Sequence, residues 1–240
     1  FALPSSVMSS VSEEFGVFEM PYIIKSREHM KRVQNELGDT FQNAVHAKGY
    51  HIVGYLENGF RHITNNTRPI NVPSDLQGIK LRTPSGAWRL KMFQLYGANP
   101  SPMAFSEVFT ALQTGVMDGQ ENPYAQIASA NFQEVQKYLS ITGHVYTPAY
   151  VLSSKRHFDK HPADVRGILT NCAESTQVFV YRKAEALETE LLEVIRAAGV
   201  EINEADKDAF IAASAPIYDE FATSFAGGAE LVKSIRALAD

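Results

Sequence analysis

From His161 to Gly199 the chain carries an almost unbroken helical pattern, opened by Pro162 at a first-turn position where its missing N–H is tolerated. Helices much longer than ~25 residues are uncommon inside one compact domain. A run of this length near the end of a chain of 240 residues suggests two lobes with connections between them. That length is enough for one large domain or two small ones, each with its own core.

The segments before it alternate in type. Ser26 to Lys48 reads as a helix, with Met30, Val33, Leu37, Phe41 and Val45 at helical spacing and Gly49 as its stop. Tyr50 to Tyr55 and Phe60 to Thr64 read as strands, with Glu57-Asn58-Gly59 as a turn between them. A short strand over Ile79–Arg82, a helix over Ser85–Tyr96 and an extended piece over Asn99–Met103 follow. Ser106 caps a helix running to Leu112, and Asp118-Gly119 reads as a turn. Two short helices, near Pro123–Ser129 and Phe132–Val135, precede strands at Tyr138–Thr142 and Val145–Ser153. Beyond the long helix come a short strand at Val200–Ile202 and a mostly helical stretch from Glu204 to Asp240, with a break expected at Pro216. Short strands alternating with helices define an α/β architecture. The chain shows no internal repeat.

Composition narrows the functions available. Hydrophobic residues make up 45% and charged residues 20%, the balance of an ordinary globular protein. A net charge of -5 opposes a nucleic-acid role, which needs a basic face against phosphates. The single cysteine, Cys172, excludes a disulfide within the chain. Beside Leu169 and Ala173 it reads as a small buried apolar residue rather than a nucleophile. No apolar run approaches the ~18–20 residues of a membrane span. No signal peptide is visible, and the chain opens at Phe1 without an initiator methionine.

Catalytic signatures are missing: no G-x-S-x-G, no Walker A sequence and no G-x-G-x-x-G occurs. His157 and His161 have metal-ligand spacing, but Asp159, Lys160 and Pro162 around them read as an exposed helix junction. No metal and no cofactor is therefore assigned. The arginines are more informative. Arg61 follows the apolar Phe60, and Arg82 follows Ile79-Lys80-Leu81, so each stands in or at the end of a short strand beside a loop. Strand ends are where α/β folds bind ligands, and a guanidinium there can receive a carboxylate through two parallel hydrogen bonds. A structural salt bridge or a solvated arginine is the plainer alternative for each. Gln120-Glu121-Asn122, after the Asp118-Gly119 turn, gathers polar side chains suited to a hydrogen-bonded site. His62 and His144 stand alone in sequence and could be ligand contacts or core residues. Trp88, Phe105, Tyr124 and Tyr146 could offer stacking surface or simply fill the core.

These motifs occur together in one known family. Gly59-Phe60-Arg61, Pro69-Ile70, Asp75-Leu76-Gln77-Gly78-Ile79-Lys80-Leu81-Arg82-Thr83-Pro84 and Gly97-Ala98-Asn99-Pro100-Ser101-Pro102-Met103 stand in order. Phe105-Ser106-Glu107-Val108, Ala111-Leu112-Gln113-Thr114-Gly115, Val116 to Pro123 and Glu134-Val135-Gln136-Lys137-Tyr138 continue the series. With these gaps the stretch from Arg61 to Tyr150 resembles the solute-binding subunits of tripartite ATP-independent periplasmic (TRAP) transporters, of the dicarboxylate-binding (DctP) type. Weaker similarity covers the rest.

The resemblance implies a two-lobed periplasmic binding protein fold with hinge strands and a long spanning helix. Residues 1–58 with 148–187 would form the first lobe and residues 59–147 with 188–240 the second. It implies that the family's opening α/β units of the first lobe are absent from this chain. It implies that Arg82 clamps a carboxylate, that Arg61 is a second arginine contact, that Asn122 hydrogen-bonds the ligand and that Phe105 packs on its body. Ser85 matches a variable contact position, and Trp88, His62 and Tyr146 complete the candidate binding set. The implied function is capture of a small organic carboxylate (a sugar acid, hydroxy acid or aromatic acid) by hinge closure, and delivery to membrane permease subunits by a periplasmic monomer that is not an enzyme. A carboxylate-processing enzyme is one alternative, with only Glu121 and His144 as candidate acid–base groups near the clamp. A ligand-sensing domain is another.

Overall fold

In the computed structural model, which describes residues 1–239, β1 (Ala2–Pro4) runs into the short helix α1 (Ser5–Met8) and a 3-10 segment over Glu13–Glu19. Then come α2 (Arg27–His46), β2 (Tyr50–Phe60), β3 (His62–Asn65), β4 (Lys80–Thr83), α3 (Ala87–Leu95), β5 (Asn99–Pro102) and α4 (Val108–Gln113). The chain continues through β6 (Gly119–Asn122), α5 (Tyr124–Ser129), β7 (Tyr138–Ile141), β8 (Tyr146–Ser154), α6 (Lys155–Asp159) and the 35-residue helix α7 (Ala163–Ala197). It ends with β9 (Glu201–Glu204), α8 (Lys207–Ala213), α9 (Ala215–Ser224) and α10 (Gly228–Ala237).

The strands form two sheets. One has the order β1-β8-β2 and is antiparallel throughout. The other has the order β5-β4-β6-β3-β7-β9, with β3 antiparallel to both its neighbours and the remaining pairs parallel. The backbone passes between the sheets at Arg61, joining β2 to β3, and returns through residues 142–145, joining β7 to β8. The two crossings are tied together, because Arg61 N donates to Val145 O at 2.9 Å.

The first core is aromatic. Phe15 and Phe18 of the 3-10 segment meet Phe41 of α2 and Tyr150 of β8, with Phe18–Phe41 and Phe15–Tyr150 ring centroids 4.9 and 5.0 Å apart. The helical stripe read from sequence fits: Met30, Val33, Phe41 and Val45 are buried, and Leu37 packs partly against them. Ser26 caps α2 by accepting from His29 N at 3.0 Å, as a helix-initiating serine should. A second core holds Val108, Leu112, Ile127, Phe132, Leu139, Ile195 and Val200. Ile195 is the far end of α7, whose earlier turns lie on β2, so this helix reaches from one sheet to the core of the other. Gly54 makes the approach possible: a Cβ there would stand 2.5 Å from the Ala173 Cβ of α7. The closing helices α9 and α10 pack on α3 and on the Glu13–Glu19 segment.

Four expectations change. No turn interrupts residues 57–59; β2 runs on to Phe60, and the glycines and polar residues there mark register shifts against β8 instead. Asp118-Gly119 does not separate two helices, because Gly119 opens β6, a fully buried strand inside the larger sheet. Local turn propensity lost to sheet packing at this point. Cys172 is exposed, since the face of α7 that carries it is turned away from β2. The C-terminal helical stretch has a second break after Ser224, at Phe225 to Gly227, besides the one just before Pro216. Among the described residues no helix is long and apolar enough to cross a membrane.

Candidate functional site

A cleft of about 310 Å³ opens where β1 and α1 of the first sheet face the ends of β4 and β6 in the second. Arg61, Arg82, Ser85, Phe105 and Asn122 line it together, with Met103, Asn58 and Gln126. Five of the eight residues singled out in the sequence thus share one wall.

The two arginines are held very differently. Arg82 sits near the end of β4, between β5 and β6, where alternation sends Leu81 into the core and Arg82 the other way. Its Nε and Nη2 donate to Met103 O at 3.0 and 2.6 Å. The Phe105 ring lies 6.0 Å from its Cζ. Among the described residues no carboxylate comes within ion-pair distance of it, and its Nη1 has no protein acceptor. Yet Arg82 is only 4% exposed. Burial pulls its pKa down to about 10, which still leaves it charged at neutral pH.

Arg61, by contrast, has its charge matched from within, although its Nη1 has no acceptor among the described residues. Its Nε donates to Glu121 Oε2 at 2.5 Å, and its Nη2 donates to Glu121 Oε1, to Glu121 O and to Asn122 Oδ1. Glu121 also accepts from Arg89 Nη1 at 2.8 Å, and Arg89 Nη2 donates to Glu19, 2.8 Å away. His144 Nε2 stands 3.0 Å from Glu121 Oε2, and its Nδ1 is held by Thr142 Oγ1. Arg61, Arg89, Glu19 and Glu121 therefore form a buried cluster of two cations and two anions. Burial alone would raise the Glu121 carboxyl, but Arg61 and Arg89 overcome it and hold it well below the usual carboxylate range. Burial lowers Arg61, whereas Arg89, also desolvated, is raised because it has two carboxylate partners. Burial takes His144 down to about 4 against the pull of Glu121, so it donates as a neutral imidazole.

The polar rim is wired into this cluster. Asn122 Nδ2 donates to Gln120 Oε1, whose Nε2 donates to Thr64 Oγ1. Gln126 Nε2 donates to Asn58 Oδ1 at 2.6 Å, while its buried Oε1 has no partner. Ser85 stands exposed on the rim, and Phe105 is 44% exposed over the cavity, its other edge on Phe132.

Three candidates lie elsewhere. Trp88 is turned onto Gly16 and Phe221, because it stands one helical step, about 100°, from the inward-facing Arg89. Tyr146 is in the core, its ring edge-on to Phe60 and its hydroxyl on Glu57. His62 points away from the cleft and stacks on Tyr124. Arg89, Glu19, Asn58 and Gln126 were not singled out from sequence. The signal for Arg89 was its place on the face of α3 that also carries Met92 and Phe93, both fully buried. His157 and His161 are both exposed, and among the described residues no three metal-ligating side chains converge.

The cleft between the two sheets thus carries a desolvated guanidinium with no carboxylate within ion-pair distance among the described residues, an arrangement suited to an anion. Comparison with known proteins extends this. Residues 1–224 match the family model for bacterial extracellular solute-binding protein, family 7 (DctP). A solute-binding protein of Verminephrobacter eiseniae is 36% identical over 214 residues, covering 88% of this chain and 64% of that protein. The 2,3-diketo-L-gulonate-binding periplasmic protein YiaO of Escherichia coli is 32% identical over 234 residues, covering 96% and 71%. A TRAP periplasmic solute-binding protein from a Sulfitobacter species, solved with bound β-D-galacturonate, superposes with a TM-score of 0.94 at 30% identity, covering 98% of this chain and 79% of that one. The chain belongs to family 7 of the bacterial extracellular solute-binding proteins, the DctP family, and has the two-lobed α/β fold of the TRAP binding proteins. It spans about two thirds of the length of these curated relatives.

Proposed function

We propose that this protein binds the single carboxylate of a small hydroxylated acid, a sugar acid or hydroxy acid, and presents it to a membrane permease without chemical turnover. One observation carries the reading: Arg82 is buried, charged and without a carboxylate of its own. A desolvated charge is costly unless paired, and a ligand carboxylate is the partner that the cleft can admit. Asn122, Gln126 and Ser85 suit the hydroxyls of such a ligand, and Phe105 its carbon face. A volume of about 310 Å³ is at the small end of ligand pockets. Relatives that bind 2,3-diketo-L-gulonate and galacturonate support a sugar acid over an aromatic one. One lone guanidinium supports a monocarboxylate.

In this reading Arg82 clamps the carboxylate, Arg61 is a fixed second contact and Asn122 a hydrogen-bonding one. The lobes divide at the crossings, residues 1–58 and 148–187 against 59–147 and 188–240, and ligand favours the closed state by differential affinity. The protein acts as a monomer alongside TRAP permease subunits; relatives named as periplasmic and TRAP binding proteins support the periplasmic compartment and the transporter type.

The test is a thermal-shift panel of sugar acids, hydroxy acids, succinate, benzoate and the matching neutral sugars. A true ligand at ~100 times its dissociation constant stabilises by about 2.7 kcal/mol, a rise of several degrees. The expected hits are acids only, and the best hit should reduce the radius of gyration in small-angle scattering. Equal shifts with neutral sugars would remove Arg82 from the centre of the reading. Consumption of the acid on prolonged incubation would make the protein an enzyme.

A further inference from the structure

A second cavity, of about 490 Å³, lies on the other side of the crossing. Phe60, Arg61 and His62 are consecutive: Arg61 lines the cleft, and both its neighbours line this rear cavity. Side chains alternate along extended backbone, so the crossing is a wall one residue thick with a polar ligand face and an aromatic rear face.

The rear cavity has features of a built site. Tyr124 stacks on His62, ring centroids 4.3 Å apart and planes 16° from parallel, and His62 Nδ1 accepts from Gly143 N at 3.1 Å. Phe60 and Tyr22 add two more aromatic rings. Tyr22 adopts a left-handed backbone conformation, φ +59°, which is costly for a bulky side chain. It is held there by two bonds to the returning crossing, Tyr22 N to His144 O at 2.9 Å and Tyr22 Oη to Thr142 O at 3.1 Å. Strain of this kind collects at ligand sites. Lys25 and Lys207 share the lining with two acids, Asp208 and Glu188, the latter also engaged by Arg27, while Asp206 and Glu204 act on Tyr22 and Tyr124 from nearby. Among the described residues neither lysine has a carboxylate within ion-pair distance.

We propose that this rear cavity is a second ligand site, which takes a planar aromatic carboxylate with its ring among Tyr22, Phe60 and Tyr124 and its carboxylate against Lys25 and Lys207. The proposal does not rest on the cleft reading, because none of these five side chains lines the cleft.

Benzoate is the probe, followed by saturation-transfer NMR and titration calorimetry on wild type, Arg82→Met, Lys207→Gln and Tyr124→Leu. Arg82→Met disables the cleft and should leave benzoate affinity within about twofold. Tyr124→Leu, which keeps an apolar side chain but loses the ring, should weaken it ~3–10-fold. Lys207→Gln, an exposed position that leaves the fold untouched, should weaken it up to ~5-fold. Loss of benzoate binding in Arg82→Met would place the probe in the cleft and overturn the proposal. So would unchanged affinity in both rear-cavity variants, or no saturable binding to wild type.

Discussion

Two buried guanidinium groups share one cleft and differ in everything else. Arg61 belongs to a cluster with Arg89, Glu19 and Glu121 in which every charge has an opposite within 3 Å. Arg82 has a backbone carbonyl and an aromatic ring. The first arrangement is finished without any ligand; the second is not. Chemical type therefore says little about which arginine does the binding. What matters is whether the protein has already spent the opposite charge.

That contrast can be broken experimentally. The largest effect is expected on stability, from Arg89→Met. It leaves Glu19 without its arginine and Glu121 with one fewer, and removing one partner of a buried ion pair destabilises by about 3–5 kcal/mol. Denaturant unfolding measures it; a loss below about 1 kcal/mol would mean that the cluster is not a structural unit. Arg82→Met should do the reverse. Carboxylate affinity measured by calorimetry should fall by about 2–5 kcal/mol, and the ligand-free protein should unfold no earlier than wild type, because no ion pair has been broken. An unfolding midpoint lowered as far as in Arg89→Met would erase the distinction.

Acid offers a milder separation of the same two regions. Burial holds His144 down to about 4 and His62 to about 3, below an ordinary histidine. The unfolded chain therefore takes up protons before the folded one does, and stability falls as pH drops below about 6.5. Between pH 6.5 and 5 the loss should be on the order of 2 kcal/mol per histidine. Glu121, held low, adds its own loss only below about pH 4.5. Arg82 stays charged throughout, so ligand affinity of the folded protein should be flat over pH 5–8. A parallel fall in affinity and stability would couple the cleft to the histidines.

Much of this was legible in the residues, for identifiable reasons. The apolar stripe of α2 and the glycine stop after it are local signals, and the structure follows them. Arg82 was visible because a strand end and a proline bracket it. β6 was misread because Asp118-Gly119 has the composition of a turn, whereas the glycine is there for packing: a Cβ at Gly119 would stand 2.3 Å from Thr64 O. That constraint comes from a strand more than fifty residues earlier and has no local trace. Trp88 was placed in the site and Arg89 was not, because the rotation of α3 about its axis depends on Glu19 and Phe221, which pack on it from far along the chain. For His62 and Tyr146 the sequence left ligand contact and core open, since one residue of register decides which side a strand residue sees, and the structure places His62 against Tyr124 and Tyr146 in the core.

The exposed thiol has a practical consequence. Cys172 is the only cysteine in the chain, and it stands in solvent on the part of α7 that rides over β2. The molecule can therefore take one maleimide dye at one known address without any engineering. Its emission would report whether the long helix shifts when the cleft fills. The same thiol can join two molecules in an oxidising buffer, so a dimer seen without reductant has a trivial covalent origin to eliminate first.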